Sequence, residues 1–317
     1  MITVGQGRRV FNCMVPDSLR RDSWRGAIQY AVMKETKTIS LVLGSGGARG
    51  HAHIGVIRAV EERGLPILNI AGTSLGAVIG GIYAADELAT YTEWANQLDK
   101  SDVVKLLDFS FTWTSIFKGE RIIEVLKELV GDRKIEDLDK GFTAVATALE
   151  EQREVWLNDG SLFRAIRAST AVPGVFAPVE LDGRTLVDGG LVNPIPIAPT
   201  LNDSTDLTIA VNLSGTEDGR GQPKKSEPAP RKSLPEDGYR EKISNFVTQL
   251  LESDEPKQEA PDAADLLVKS IDVMQGAIAR LKLAAYAPDL VVKIPRDACT
   301  FFEFHRAEEM AELGYER

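Results

Sequence analysis

Residues 38–43 form a short, β-favouring apolar run that ends on glycine, and residues 50–63 behind it carry Ile54, Ile57 and Val60 at helical spacing. The pattern predicts a strand that enters a helix. Pro66 restarts the chain, after which residues 67–71 read as a second strand and residues 75–85 as a second helix. Strand, helix, strand, helix favours a parallel sheet with right-handed crossovers and helices on both faces. Further strands are expected at 142–149, 154–157, 184–187, 207–213 and 290–294, with helices at 119–130, 162–168 and 302–313. The fold class is therefore α/β, and no internal repeat breaks it up.

Residues 64–85 are 22 residues long and carry no charge, which meets the length of a membrane span. Pro66, Asn69, Thr73, Ser74 and five glycines within the run argue instead for a buried strand, tight turn and helix. From residue 215 to 261 the composition turns abruptly to Gly, Pro, Ser, Lys and Glu around one apolar island at 243–251, and it reads as a mobile insertion. Behind it, Leu266, Leu267, Val273, Met274, Ile278 and Leu281 mark one face of a helix, expected to be the face that packs on the core, with a membrane-binding stripe as the alternative.

A chain of 317 residues, 43% of them hydrophobic, can bury one large core. Its formal net charge of −10 argues against general nucleic-acid binding, which requires a concentrated positive face. Cys13 and Cys299 are too far apart to suggest a disulfide framework or a metal site, and they point to a reducing compartment. The amino terminus lacks the apolar stretch and small-residue cleavage site of a secretory signal, so a cytoplasmic location is expected.

Three segments carry chemistry. Gly72, Thr73, Ser74, Leu75 and Gly76 spell GxSxG between a predicted strand and a predicted helix. A sharp turn there exposes the Ser74 hydroxyl above the sheet edge, and glycines on both sides relieve backbone clashes. The first strand ends in Gly44, Ser45, Gly46, Gly47, Ala48, Arg49 and Gly50, a loop whose N–H groups can converge on a developing oxyanion with a helix behind them. Arg49 either adds positive charge at its tip or is solvated. Asp188, followed by Gly189 and Gly190, ends a predicted strand, and a desolvated carboxylate there could take the serine proton; a plain turn aspartate is the bland alternative.

A serine nucleophile commonly works with histidine. His305 has the chain order of a Ser74, Asp188, His305 triad but falls in a predicted helix, while His51 and His53 read as supports of the glycine loop. A dinucleotide-binding oxidoreductase is a rival reading of the loop, and two observations weaken it. Ser45 breaks the GxGxxG register, and the second strand ends in Gly-Thr-Ser rather than in an acidic residue.

Taken in order, these segments resemble the patatin-like phospholipase family, most closely its bacterial branch related to the neuropathy-target-esterase catalytic domain. Gly46 to Gly50 with Ala52, His53, Ile54 and Gly55 fit its first motif; Ala168, Ser169, Pro173, Gly174 and Phe176, then Asp188, Gly189, Gly190, Asn193 and Pro194, fit later ones. The resemblance covers roughly residues 39–213 and 287–315 and implies a three-layer α/β/α sandwich with a mainly parallel central sheet. It also implies a Ser74–Asp188 dyad without histidine. Gly46, Gly47, Ala48 and Arg49 would bind the oxyanion, supported by Gly72, Gly76, Gly189 and Gly190, with no metal and no cofactor. Ser45 stands where the family usually has glycine.

The expected activity is hydrolysis of phospholipid, lysophospholipid or related acyl esters through an acyl-enzyme; a catalytically silent lipid- or partner-binding protein of the same fold is the alternative. A lipid substrate implies transient contact with a membrane surface. Residues 1–36 carry six Lys or Arg against three Asp or Glu, with Phe11, Trp24 and Tyr30 among them. That extension either binds anionic lipid or covers an edge of the catalytic domain at 38–317.

Overall fold

In a computed structural model of the chain, the described residues are 36–107, 109–112, 115–216 and 263–317. The amino-terminal extension, Cys13 with it, and nearly all of the 215–261 insertion lie outside them. The chain divides into two units, Met1–Thr36 and Lys37–Arg317, and every described helix and strand belongs to the second.

Five parallel strands run inward from one end of the main sheet: β1 (Ile39–Leu43), β2 (Ile67–Thr73), β5 (Gly141–Ala148), β10 (Leu207–Gly215) and β11 (Leu290–Pro295), in the order β11-β10-β1-β2-β5. Antiparallel β6 (Arg153–Leu157), β8 (Val179–Leu181) and β9 (Arg184–Asp188) complete it. The β8–β9 hairpin closes through Asp182 and Gly183, both at positive φ, the Asp-Gly pair that a two-residue turn of this hand selects. A small second sheet joins β3 (Phe109–Thr112), β4 (Ser115–Phe117) and β7 (Gly174–Phe176).

The pleat divides side chains between two helical layers. Ile39, Leu41 and Leu43 of β1 and Ile209, Val211 and Leu213 of β10 join one large core. That core is shared with α1 (Ala52–Glu62), α2 (Leu75–Ala84), α5 (Glu120–Val130), α6 (Leu162–Ser169) and α8 (Ala307–Glu316). The intervening Val42 and Ala210 face the other way, against Ile195, Ile197 and Ala279 of α7 (Ala263–Tyr286). Burial on both faces is why these strands read as unbroken apolar runs. α1 and α8 are in backbone contact, since a side chain on Gly55 would overlap the Ala311 carbonyl and one on Gly314 that of Ala52.

Residues 64–85 form β2 and α2, and among the described residues no helix is long and apolar enough to cross a membrane. Two boundaries moved: the first predicted helix opens with a 3-10 turn at Gly47–His51, and the last is a 3-10 turn at Phe304–Arg306 followed by α8. Helices α3 (Leu88–Asn96) and α4 (Lys100–Leu106), together with β3, β4, β7 and β8, had not been predicted. These are short pieces with too few periods to register as a pattern.

The face of α7 reverses the expectation. Leu266, Leu267, Val273, Met274 and Leu281 are exposed, and the buried stripe is Val268, Ile271, Gln275 and Ala279. This stripe meets the sheet and the Gly190 loop at close quarters, where small and polar residues fit, so apolarity alone pointed to the wrong side.

Candidate active site

β2 ends at Thr73, and Ser74 turns the chain into α2 with φ 56° and ψ −127°. A non-glycine residue in this region stores about 1–3 kcal/mol of strain, and the surroundings must hold it there. They do so by proximity. A side chain on Gly72 would overlap the Gly76 carbonyl, and one on Gly76 the Leu43 carbonyl, so the turn closes only with glycine at both places. Ser169, at the end of α6, accepts the Ser74 N–H at 3.0 Å and donates its own hydroxyl to the Val145 carbonyl at 2.6 Å. The nucleophile's backbone is thereby tied to β5.

The same strand delivers the base. β5 pairs with β6 along one edge over residues 144–148, so its two other partners must share the opposite edge. β2 occupies it up to the pair Thr73–Val145, and β9 takes over with the pair Asp188–Ala146. Two adjacent positions on one strand therefore bring together Ser74 and Asp188, residues far apart in the chain.

Asp188 is almost fully buried. Its N–H donates to the Ala171 carbonyl at 2.9 Å and its Oδ1 accepts from Gly190 N–H at 2.6 Å. Oδ2 has no well-formed hydrogen bond. Burial raises the pKa of the carboxyl from 3.8 to about 6, against smaller lowering effects of the Ser74 hydroxyl and the Gly190 N–H. The Ser74 hydroxyl thus acts on the carboxylate from just beyond good hydrogen-bond geometry, an arrangement common in free enzymes that tighten on binding substrate. A side chain on Gly189 would overlap the Val145 carbonyl.

The glycine loop lies beside the nucleophile. Gly44 and Ser45 donate to the carbonyls of Val211 and Pro194 at 3.1 and 2.8 Å, fixing its root. Gly47 sits at φ 56°, with the Phe301 ring where a side chain would go. Ala48 departs from its expected role, because its N–H already donates to the Phe301 carbonyl at 2.9 Å. Among the described residues the N–H groups of Gly46 and Gly47 donate to no protein acceptor and remain the loop's candidate oxyanion donors.

Arg49 is neither solvated nor at a tip. It is buried, donating to the Gly46 carbonyl at 3.2 Å and the Arg296 carbonyl at 2.6 Å and pairing with Asp272 of α7. Its side chain braces the loop from below.

His53 donates through Nε2 to the Gly44 carbonyl at 2.9 Å; His51 donates through Nδ1 to the Ala48 carbonyl and accepts from the Tyr91 hydroxyl, both at 3.1 Å. Burial lowers both pKa values to about 4, so the rings are neutral supports of the loop. His305 lies in the 3-10 turn packed against α3 and α4, with Glu303, Lys100, Arg306 and Glu309 as its charged neighbours. Among the described residues no hydrogen bond joins a histidine to Ser74 or Asp188.

Three contributors escaped the sequence reading. Ser169 stands in the sequence only as a motif residue, and Asp272 and Gln275 carry no local signal of a role. Gln275 Nε2, Ser45 Oγ and Asp188 Oδ1 all crowd the point where a side chain on Gly190 would stand. No three His, Cys, Asp or Glu side chains gather as a metal site among the described residues.

The sequence profile described as "Patatin-like phospholipase" matches residues 41–201. An NTE family protein of Mycobacterium tuberculosis is 39% identical over 321 residues, 87% of this chain and 89% of that one. Patatin-like phospholipase domain-containing protein 6 of Homo sapiens is 38% identical over 190 residues, 57% of this chain and 14% of that much longer one. Neuropathy target esterase sws of Drosophila melanogaster is 34% identical over 188 residues, 57% and 13% of the two.

Proposed function

The chain belongs to the patatin-like phospholipase family, a family of lipid hydrolases, and we propose that it is itself a serine acyl hydrolase acting through a Ser74–Asp188 dyad. The observation that carries this reading is the shared β5 edge, which sets a strained serine beside a carboxyl whose pKa burial has raised to about 6. Such a carboxyl is mostly ionised at neutral pH yet a stronger base than an ordinary aspartate.

Asp188 removes the Ser74 proton as Oγ attacks the ester carbonyl. The tetrahedral oxyanion accepts hydrogen bonds from the Gly46 and Gly47 N–H groups, while the positive end of α2 favours charge at the serine. Collapse breaks the bond to the alcohol, which leaves with the proton from Asp188. Water then gives a proton to Asp188, attacks the acyl-enzyme, and the fatty acid departs as Ser74 recovers its hydrogen. Substrates of this kind require contact with a lipid surface.

Fluorophosphonate labelling and fatty-acid release from lysophosphatidylcholine test the reading in wild type, Ser74→Ala, Asp188→Asn and His305→Ala. The first two variants should lose turnover and the third keep it. A wild type that is neither labelled nor active overturns the hydrolase, and loss of activity in folded His305→Ala overturns the dyad.

A further inference from the structure

The helix α7 presents an apolar stripe to solvent. Leu266 is 55% exposed, Leu267 41%, Val273 69%, Met274 50% and Leu281 71%. At about 100° per residue these positions, with Ala277 and Ala284, fall within an arc of roughly 120° that runs about 25 Å along the helix. The polar residue inside the arc, Ser270, turns its hydroxyl back onto the Leu266 carbonyl at 2.7 Å. A large apolar surface of this kind on a chain of net charge −10 marks a binding face.

Its border indicates the partner. The exposed charges among the described side chains of α7 are Lys269 and Arg280, both cationic and both on one rim of the stripe. The one acidic side chain described on α7, Asp272, points to the other face and pairs with Arg49. An apolar arc rimmed by cations has the make-up of a helix that lies in the plane of an anionic membrane surface, its apolar side among the acyl chains and its cations at the headgroups.

We infer that the outer face of α7 seats the protein on an anionic lipid surface. This rests on the lipid-hydrolase reading and adds to it the site of docking. The inner face of the same helix holds Arg49 beneath the oxyanion loop and Gln275 against Gly190. A docked bilayer therefore lies about one helix diameter, roughly 10 Å, from the catalytic groups. Lipid released from the surface has little distance to cover.

The test uses the full chain and vesicles of phosphatidylcholine with and without about one-third phosphatidylglycerol. Val273→Glu/Leu281→Glu should bind the anionic vesicles at least about tenfold more weakly and hydrolyse vesicle-borne lysophospholipid correspondingly less, with turnover of a soluble p-nitrophenyl ester unchanged. Lys269→Gln/Arg280→Gln should weaken binding to the anionic vesicles alone. The milder Val273→Ser/Leu281→Ser serves should the glutamate variant melt early. Vesicle binding that is absent in wild type or unchanged in the variants overturns the inference. So does a dimer lost in the variants by sedimentation velocity, which makes the face a contact between copies. New protease cleavage within residues 217–262 of the variants, at unchanged vesicle binding, also overturns it by making the chain's own segment the occupant. Wild type that binds vesicles but cleaves neither ester refutes the hydrolase reading and leaves the docking face standing.

Discussion

Replacing Asp188 with asparagine should make the protein more stable relative to wild type as pH rises, even as it removes turnover. The carboxyl moves from 3.8 to about 6 because burial disfavours its charge. An acid shifted in this direction keeps its proton longer in the folded chain. Between the two values the unfolded chain has released a proton that the folded chain holds, so wild-type stability falls as pH rises through that window and levels off above it. At roughly 1.4 kcal/mol per unit, the ionised carboxylate costs the folded state about 3 kcal/mol at pH 8 and about half as much at pH 5. An amide does not titrate, and whatever its own burial costs is the same at both pH values. The stability of Asp188→Asn minus that of wild type should thus grow by about 1–2 kcal/mol from pH 5 to 8, or a few degrees in Tm at roughly 2 °C per kcal/mol. Denaturant titrations of both proteins at a series of pH values read this directly. A difference that is flat with pH, or that shrinks as pH rises, refutes a buried carboxylate at this position.

The same titration governs the rate, and kcat/KM for a soluble ester should climb through pH about 6, standing at about one-tenth of its plateau at pH 5. Ser169→Ala leaves the Ser74 N–H unpaired beside Val145, and should cost about 1–3 kcal/mol by chemical denaturation together with a fall in kcat. Asp272→Asn removes the partner of a buried guanidinium; given the partial exposure of Asp272, a loss of about 2 kcal/mol is expected, with kcat falling further than KM rises as the loop slackens. Arg49→Lys should rescue little, because one ammonium cannot reach the Gly46 and Arg296 carbonyls and Asp272 together.

The strands that carry the site were legible because a sheet covered on both faces writes itself as apolar runs, and GxSxG and Asp-Gly-Gly stand at the ends of two of them. What stayed hidden depends on contacts between distant segments. Nothing local tells that β9 runs antiparallel along the edge β2 vacates, nor that Ala48 spends its N–H on Phe301. Arg49 was open to opposite readings because its partner, Asp272, stands on a helix far along the chain. The face of α7 was misread for a related reason. Amphipathic spacing reveals that a helix has an apolar side, and only the neighbours decide whether that side is turned inward.

The edge of β5 shared by β2 and β9 makes the backbone ladder the aligner of the chemistry. Because side chains alternate along a strand, a slip of one position in the β9 pairing would send Asp188 to the opposite face of the sheet. The turn between β5 and β6 at residues 149–152 can therefore lengthen or shorten without moving base from nucleophile, provided the three pairs from Ala146–Asp188 to Ala148–Leu186 keep their register and Ser169 and Ala171 keep their hydrogen bonds to Ser74 and Asp188. Turns that make none of these contacts can change while the chemistry stays aligned.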